Sequence, residues 1–163
     1  MVKKLNDYVA HYKSQLEDGD IQIAYEQLVR YVMTLKVHCD KAFSNNYSCG
    51  NVSPGYMDFT YFPFFDEFLR SENLRFGIVL NHKKVRFELW LMGQNSKVQK
   101  EYWNLLKSSR WNKTKQTMPK YSVLEVILIE EPDFNNLDKL TIELGEKVYF
   151  LSKEIVDHIK SAK

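Results

Sequence analysis

Glycine is scarce in this chain: six in 163 residues, with no Gly-x-Gly-x-x-Gly and no phosphate-loop pattern among them. Without glycines to bring backbone amides against a pyrophosphate, a dinucleotide-binding or nucleotide-hydrolase scaffold has no support. Cysteine is rarer still. Cys39 and Cys49 match neither a CxxC pair nor a zinc module, so two free thiols are expected. The four histidines, His11, His38, His82 and His158, show no HxxxH or HExxH spacing, and there is no Gly-x-Ser-x-Gly nucleophile elbow. No metal and no cofactor are expected on these grounds. Charge of one sign is also lacking. The net charge of +2, from 23 basic and 21 acidic residues, gives no basic excess of the kind that phosphate backbones require. No apolar run approaches the about 18 residues of a membrane span, and no apolar core follows Lys3 and Lys4. The default expectation is a cytoplasmic protein without a membrane segment.

What the chain has in quantity is aromatic side chains: ten Phe, ten Tyr and three Trp, 14% of the total. These supply large contact areas, for a core, a pocket wall or both. Apolar residues at Val2, Leu5, Tyr8, Val9, Tyr12 and Leu16 predict an amphipathic helix over 2–17. After Gly19, with Asp20 as its expected cap, a second helix is predicted over 21–43, carried by Leu28, Tyr31, Val32, Leu35, Cys39 and Phe43. The short connection makes the pair a helical hairpin. A turn-rich stretch, 44–55, leads into a strand over 56–62, which Pro63 is expected to end or place at an edge. Asp66 would cap a short helix. Leu74–Leu80 and Val85–Met92 read as a β-hairpin, a helix follows from Asn95 or Ser96, and Tyr121–Glu130 reads as a fourth strand. Leu137, Leu140, Leu144, Val148, Leu151, Ile155 and Ile159 alternate steps of three and four, the seam of a long final helix. The predicted class is α+β: one domain over 1–163, with a mainly antiparallel sheet of about four strands, an N-terminal helical hairpin and a long C-terminal helix.

Two of these strands carry polar residues at every second position. Tyr56, Asp58, Thr60 and Phe62 share one face of the first strand, and Arg86, Glu88 and Trp90 share one face of the third. If the two faces coincide, they bring two carboxylates, an arginine and aromatic rings together. Asp58 with Glu88 could bind a hard cation or divide acid–base work, but no third ligand is evident. Pairing of Glu88 with Arg86 or Arg75 is the simpler reading. Arg86 and Arg75 suit an anionic ligand, and Tyr61, Trp103 and Trp111 are further aromatic candidates. The basic loop carrying Lys107, Arg110, Lys113, Lys115 and Lys120 reads as solvated.

The segments Gly55-Tyr56-Met57-Asp58, Thr60-Tyr61-Phe62-Pro63-Phe64, Arg86-Phe87-Glu88-Leu89-Trp90 and Tyr102-Trp103 resemble a family of small uncharacterised bacterial proteins, a domain of unknown function, over nearly the whole chain. The resemblance implies a bacterial, single-domain, cytoplasmic protein and brings no catalytic residues with it. A fainter similarity, to proteins associated with restriction-endonuclease-like domains, would put Asp58 and Glu88 at acidic metal positions. The expected lysine two residues after Glu88 is Trp90.

These observations lead to an expected binding or interaction domain, not an enzyme. Its sheet pocket would use Tyr56, Asp58, Thr60, Arg86, Glu88 and Trp90 to hold a small polar ligand or a protein segment. A diverged metal-dependent hydrolase using Asp58 and Glu88 is the alternative. Pairing with a second copy, through the first helical hairpin or the C-terminal seam, is also open.

Overall fold

The computed structural model describes residues 1–163. Five helices and five strands follow in the order α1 (Leu5–Gln15), α2 (Asp20–Ala42), β1 (Ser48–Cys49), β2 (Phe59–Phe65), α3 (Glu67–Ser71), β3 (Leu74–Asn81), β4 (Arg86–Gly93), α4 (Ser96–Leu106), β5 (Leu124–Ile129) and α5 (Leu137–Ala162). The strands form one antiparallel sheet in sequence order, β1-β2-β3-β4-β5. The α+β class, the opening helices and the long last helix are as expected, with five strands in place of four. The additional one is β1, two residues inside the stretch expected to be loop.

The helices gather on one face of the sheet. Phe62, Phe64, Phe76, Ile78, Leu80, Phe87, Leu89, Leu91, Leu124 and Leu128 point from the strands into a core that Tyr31, Val32, Leu35, Cys39 and Phe43 of α2 close from above. Leu69 of α3, Tyr102 and Leu106 of α4, and Leu140, Leu144, Val148, Ile155 and Ile159 of α5 complete it. The three-and-four spacing of α5 thus does as expected, although Leu137 at its start stays exposed. Side-chain caps start three of the helices: Asp66 accepts the Leu69 amide at 2.8 Å, Asn95 the Val98 amide at 3.0 Å and Asn136 the Lys139 amide at 3.3 Å. Asp20 does not cap α2. Gly19, at φ +82°, takes the cap position, and Asp20 is the first helical residue.

Pro63 does not end β2. Its carbonyl accepts the Gly50 amide at 2.7 Å, so its nitrogen also faces the short outer strand and not β3. The missing N–H falls where the main ladder does not use one. Cys39 and Cys49 are free, and burial pushes both thiols up to about 12, which leaves them protonated and unreactive at neutral pH.

The expected alternation of β4 holds from Phe87 onward and fails at its start. Val85 lies in the turn, exposed, with φ +49°. A β-branched side chain in the left-handed region crowds its own carbonyl at about 1–2 kcal/mol. Val85→Gly is therefore expected to stabilise the fold by roughly 1 kcal/mol. In urea unfolding the midpoint should rise with an unchanged slope, and a lower midpoint would show that the valine side chain contributes more than its backbone costs.

Candidate functional site

The face of the sheet opposite the helices carries its own small cluster. Val79, Trp90 and Met92 are buried there, with Phe59 and Tyr61 packed against them. Every one of these residues comes from a strand, so this face is covered by its own side chains. Phe59 meets Trp90 edge to face at 4.8 Å. Beside the cluster lies a cleft of ≈ 400 Å³. Phe59, Tyr61, Trp90 and Met92 form its apolar floor. Ser53, Gly55 and Asp58 edge it on one side, and Arg75 and Tyr121 complete the lining. Arg75 is exposed and enters no salt bridge.

Glu88 lies on the same face, only 2% exposed, and its carboxylate is fully engaged. One oxygen accepts the Trp90 indole N–H at 3.0 Å. The other accepts Asn81 Nδ2 at 2.9 Å and Arg86 Nε at 3.0 Å. Arg86 also reaches both oxygens of Glu130, at 3.1 and 3.2 Å. Burial pulls the Arg86 guanidinium down, and Glu88 and Glu130 together more than offset it, holding it above its ordinary value. Lys115 of the basic loop turns onto this face and donates to the Glu125 carbonyl at 3.3 Å. Burial holds its ammonium below the usual lysine range, against the pull of Glu125 and Glu88. That loop is thus not wholly solvated.

The other expected residues are placed differently. Asp58 is exposed in a bend before β2 and its Oδ1 accepts the amides of Tyr56 at 2.8 Å and Phe59 at 2.7 Å. These two backbone donors, in that order, hold its carboxyl below the usual carboxylate range. Tyr56 is outside any strand and almost fully exposed. Thr60 faces the helices: it pairs with Leu80, which pairs with Phe87, both in the main core. Thr60 and Phe62 therefore do not share a face with Arg86, Glu88 and Trp90. The residues of β2 that do are Phe59 and Tyr61.

Thr60 instead anchors the loop. Its hydroxyl lies 2.7 Å from the Pro54 carbonyl and 2.7 Å from His82 Nε2. A carbonyl only accepts, so the threonine proton goes to Pro54 and His82 must donate from Nε2. Burial lowers the His82 pKa, and the nearby Asp58 charge opposes this more weakly.

Of the expected constellation, Arg86, Glu88 and Trp90 come together as a hydrogen-bonded row, and Asp58 joins Trp90 only at the rim of the cleft. Glu88 spends both its oxygens on local partners, and Asp58 spends Oδ1 on two backbone amides. No group of three or more His, Cys, Asp or Glu side chains is placed to hold a metal ion. Sequence reasoning passed over Met92 and Tyr121 as lining. The apolar partners that flank Trp90 follow only from the register of the β2–β3–β4 ladder.

A family model described as Domain of unknown function (DUF7000) matches residues 5–159. The chain belongs to this family. No curated protein and no solved structure matches. The match spans the whole sheet, α1 to α4 and α5 as far as Ile159, so the cleft and the Glu88 row lie within the family domain.

Two outcomes follow from this geometry. Glu88→Gln puts an amide N–H₂ against groups that only donate, and is expected to destabilise the fold by about 2–3 kcal/mol in urea unfolding. An unchanged midpoint would mean that the row does not hold this face. His82 has a lowered folded pKa, so the unfolded chain takes its proton first as pH falls. Its contribution is complete above the ordinary histidine pKa and declines as pH drops through the lowered value. Thermal midpoints should fall across that window in the wild type and flatten in His82→Gln.

Proposed function

We propose that this domain binds a small molecule in the sheet cleft: a flat or apolar body carrying an anionic group. The observation that supports this reading is an apolar, aromatic floor beside an unpaired arginine. Phe59, Tyr61, Trp90 and Met92 present carbon surface in a cleft of ≈ 400 Å³, within the size range of small-ligand pockets. Arg75 stands at the edge with no carboxylate of its own, and its planar fork matches a carboxylate or phosphate. Tyr121 offers a ring against which a planar body stacks, and Lys120 Nζ lies 5.0 Å from the centre of that ring. Asp58, held ionised by backbone amides, sets a negative charge on the opposite rim and so orients a ligand that also carries a donor.

Glu88 and Arg86 serve this site indirectly. Glu88 holds Trp90 by its indole N–H, and Arg86 holds Glu88, which fixes the floor. The domain acts by binding, with no reaction assigned to it, because Glu88 is engaged in structural hydrogen bonds and Asp58 stands at the rim without a second acidic partner.

A thermal-shift screen of organic acids, aromatic acids and phosphorylated metabolites tests the reading. Specific ligands raise the midpoint by an amount set by concentration over affinity. For a true ligand, Arg75→Ala should weaken binding by about tenfold to a hundredfold, the worth of a charge-assisted hydrogen bond. Because Arg75 is exposed and unpaired, the unliganded midpoint should stay where it was. Hits that bind Arg75→Ala and Tyr121→Ala as tightly as the wild type would place binding elsewhere and overturn the proposal.

A further inference from the structure

Helix α1 is the part of the chain that its own fold does not use. It has eleven residues, none of them buried. Isolated helices shorter than about 12–15 residues are marginal in water, and most helical stability in proteins comes from packing an apolar face. α1 has such a face. Leu5, Tyr8, Val9 and Tyr12 follow helical spacing and are 75%, 58%, 52% and 66% exposed. Between α1 and the start of α2 an apolar groove of ≈ 430 Å³ stands open, with Tyr8, Tyr12, Leu16, Ile21, Tyr25 and Met57 in its lining.

We infer that α1 is a dimerisation element, and that its occupant is α1 of a second copy, lying antiparallel in this groove. The distribution of charge favours a second copy and sets its direction. Lys3 and Lys4 precede the helix and outweigh Asp7 of its first turn, and Glu17 and Asp18 follow its end and outweigh Lys13 of its last turn. Antiparallel pairing about a twofold axis puts each basic end against the partner's acidic end, twice. Parallel pairing sets like against like. The helix macrodipoles favour the same arrangement. A twofold contact is self-complementary by construction, so one apolar stripe supplies both sides.

Area permits it. Two tyrosines, the aliphatic chains of the stripe and Met57 offer on the order of 600 Å² per copy, which brings the total to about the lower bound for specific interfaces. The dimer is accordingly one of moderate affinity. It leaves the main core untouched, because no α1 residue contributes to it.

Light scattering and sedimentation of the full chain test the inference. The wild type is expected to be a dimer, and Leu5→Asp with Tyr12→Asp a monomer at the same concentration. Both should unfold with the same midpoint when the comparison is made at low concentration, which separates lost pairing from lost folding. Loss of self-pairing in charge variants tests direction, because parallel helices would already set like against like in the wild type. Chains carrying Lys3→Glu and Lys4→Glu, or Glu17→Lys and Asp18→Lys, should each pair poorly with themselves. Mixed, they should form a heterodimer. A wild type that stays monomeric at its highest soluble concentration overturns the inference. So does a dimer that survives Leu5→Asp with Tyr12→Asp, or a mixture in which the two charge variants do not associate.

Discussion

A sheet covered by helices on one side must deal with its other side by some means, and that constraint shapes most of this molecule. All five strands run in sequence order, and every helix that contributes to the main core lies on the same face. Each strand pairs antiparallel with the next in sequence, so no crossover carries a helix to the opposite face, and α3, between β2 and β3, packs on the core side. An open antiparallel face is ordinarily polar. Here it is mixed. Val79, Trp90 and Met92 are buried without a helix above them, sheltered by Phe59 and Tyr61. Aromatic side chains of the strands themselves, Phe59, Tyr61 and Trp90, take the place of a second layer. Where they do not meet the flanking loops, the cleft remains.

Polar groups set among such rings have to be satisfied locally, and Glu88 shows how. A buried carboxylate without donors would be strongly disfavoured, and here Trp90, Asn81 and Arg86 all donate to it. The residues are linked in register: Arg86 is opposite Asn81, and Glu88 is opposite Val79 on β3. A one-residue slip of β4 would bury Arg86, Glu88 and Trp90 among the core phenylalanines and turn Phe87, Leu89 and Leu91 outward. The row therefore specifies register as well as holding the indole. The same engagement occupies three of the about four lone-pair sites of the Glu88 carboxylate. A carboxylate whose oxygens accept three donors has little capacity left for a cation or a substrate proton.

How much of this is legible in the sequence depends on how one-sided each element is. β4 is legible because Phe87, Leu89 and Leu91 alternate with Arg86, Glu88 and Trp90. α5 is legible because its buried positions repeat every three or four residues. β2 is not. Phe59-Thr60-Tyr61-Phe62-Pro63-Phe64-Phe65 is apolar on both faces, so its pattern cannot say which set meets the helices. Thr60, a polar residue on the core side, points the reader the wrong way. Its place there follows from the carbonyl of Pro54 and the ring of His82, both distant enough in sequence to leave no local signal. Tyr56 and Asp58 extend the same parity, yet they belong to a turn. Gly55, at φ +72°, bends the chain so closely that a Cβ there would fall 2.1 Å from the Phe59 carbonyl oxygen. Asp58 then ties the bend with its own side chain.

That bend, 54–58, is where the two open surfaces of the molecule meet. Gly55 and Asp58 edge the sheet cleft, while Met57 projects into the groove beside α1. Exposed loops of this length are usually mobile. This one is restrained from several directions: Asp58 caps two of its amides, its carbonyl takes the His82 amide at 2.9 Å, and Thr60 holds Pro54. The restraint explains how Met57 is kept at φ +58°, a conformation that costs a non-glycine residue on the order of 1 kcal/mol. A loop free to relax would leave that region. Held there, Met57 presents its side chain to the helical hairpin while Asp58 beside it edges the sheet cleft. A single rigid turn thus forms a wall of both surfaces. One member of that restraint, the His82 ring, donates from Nε2 to Thr60 and lines neither surface, so the walls of both are set in part from outside them.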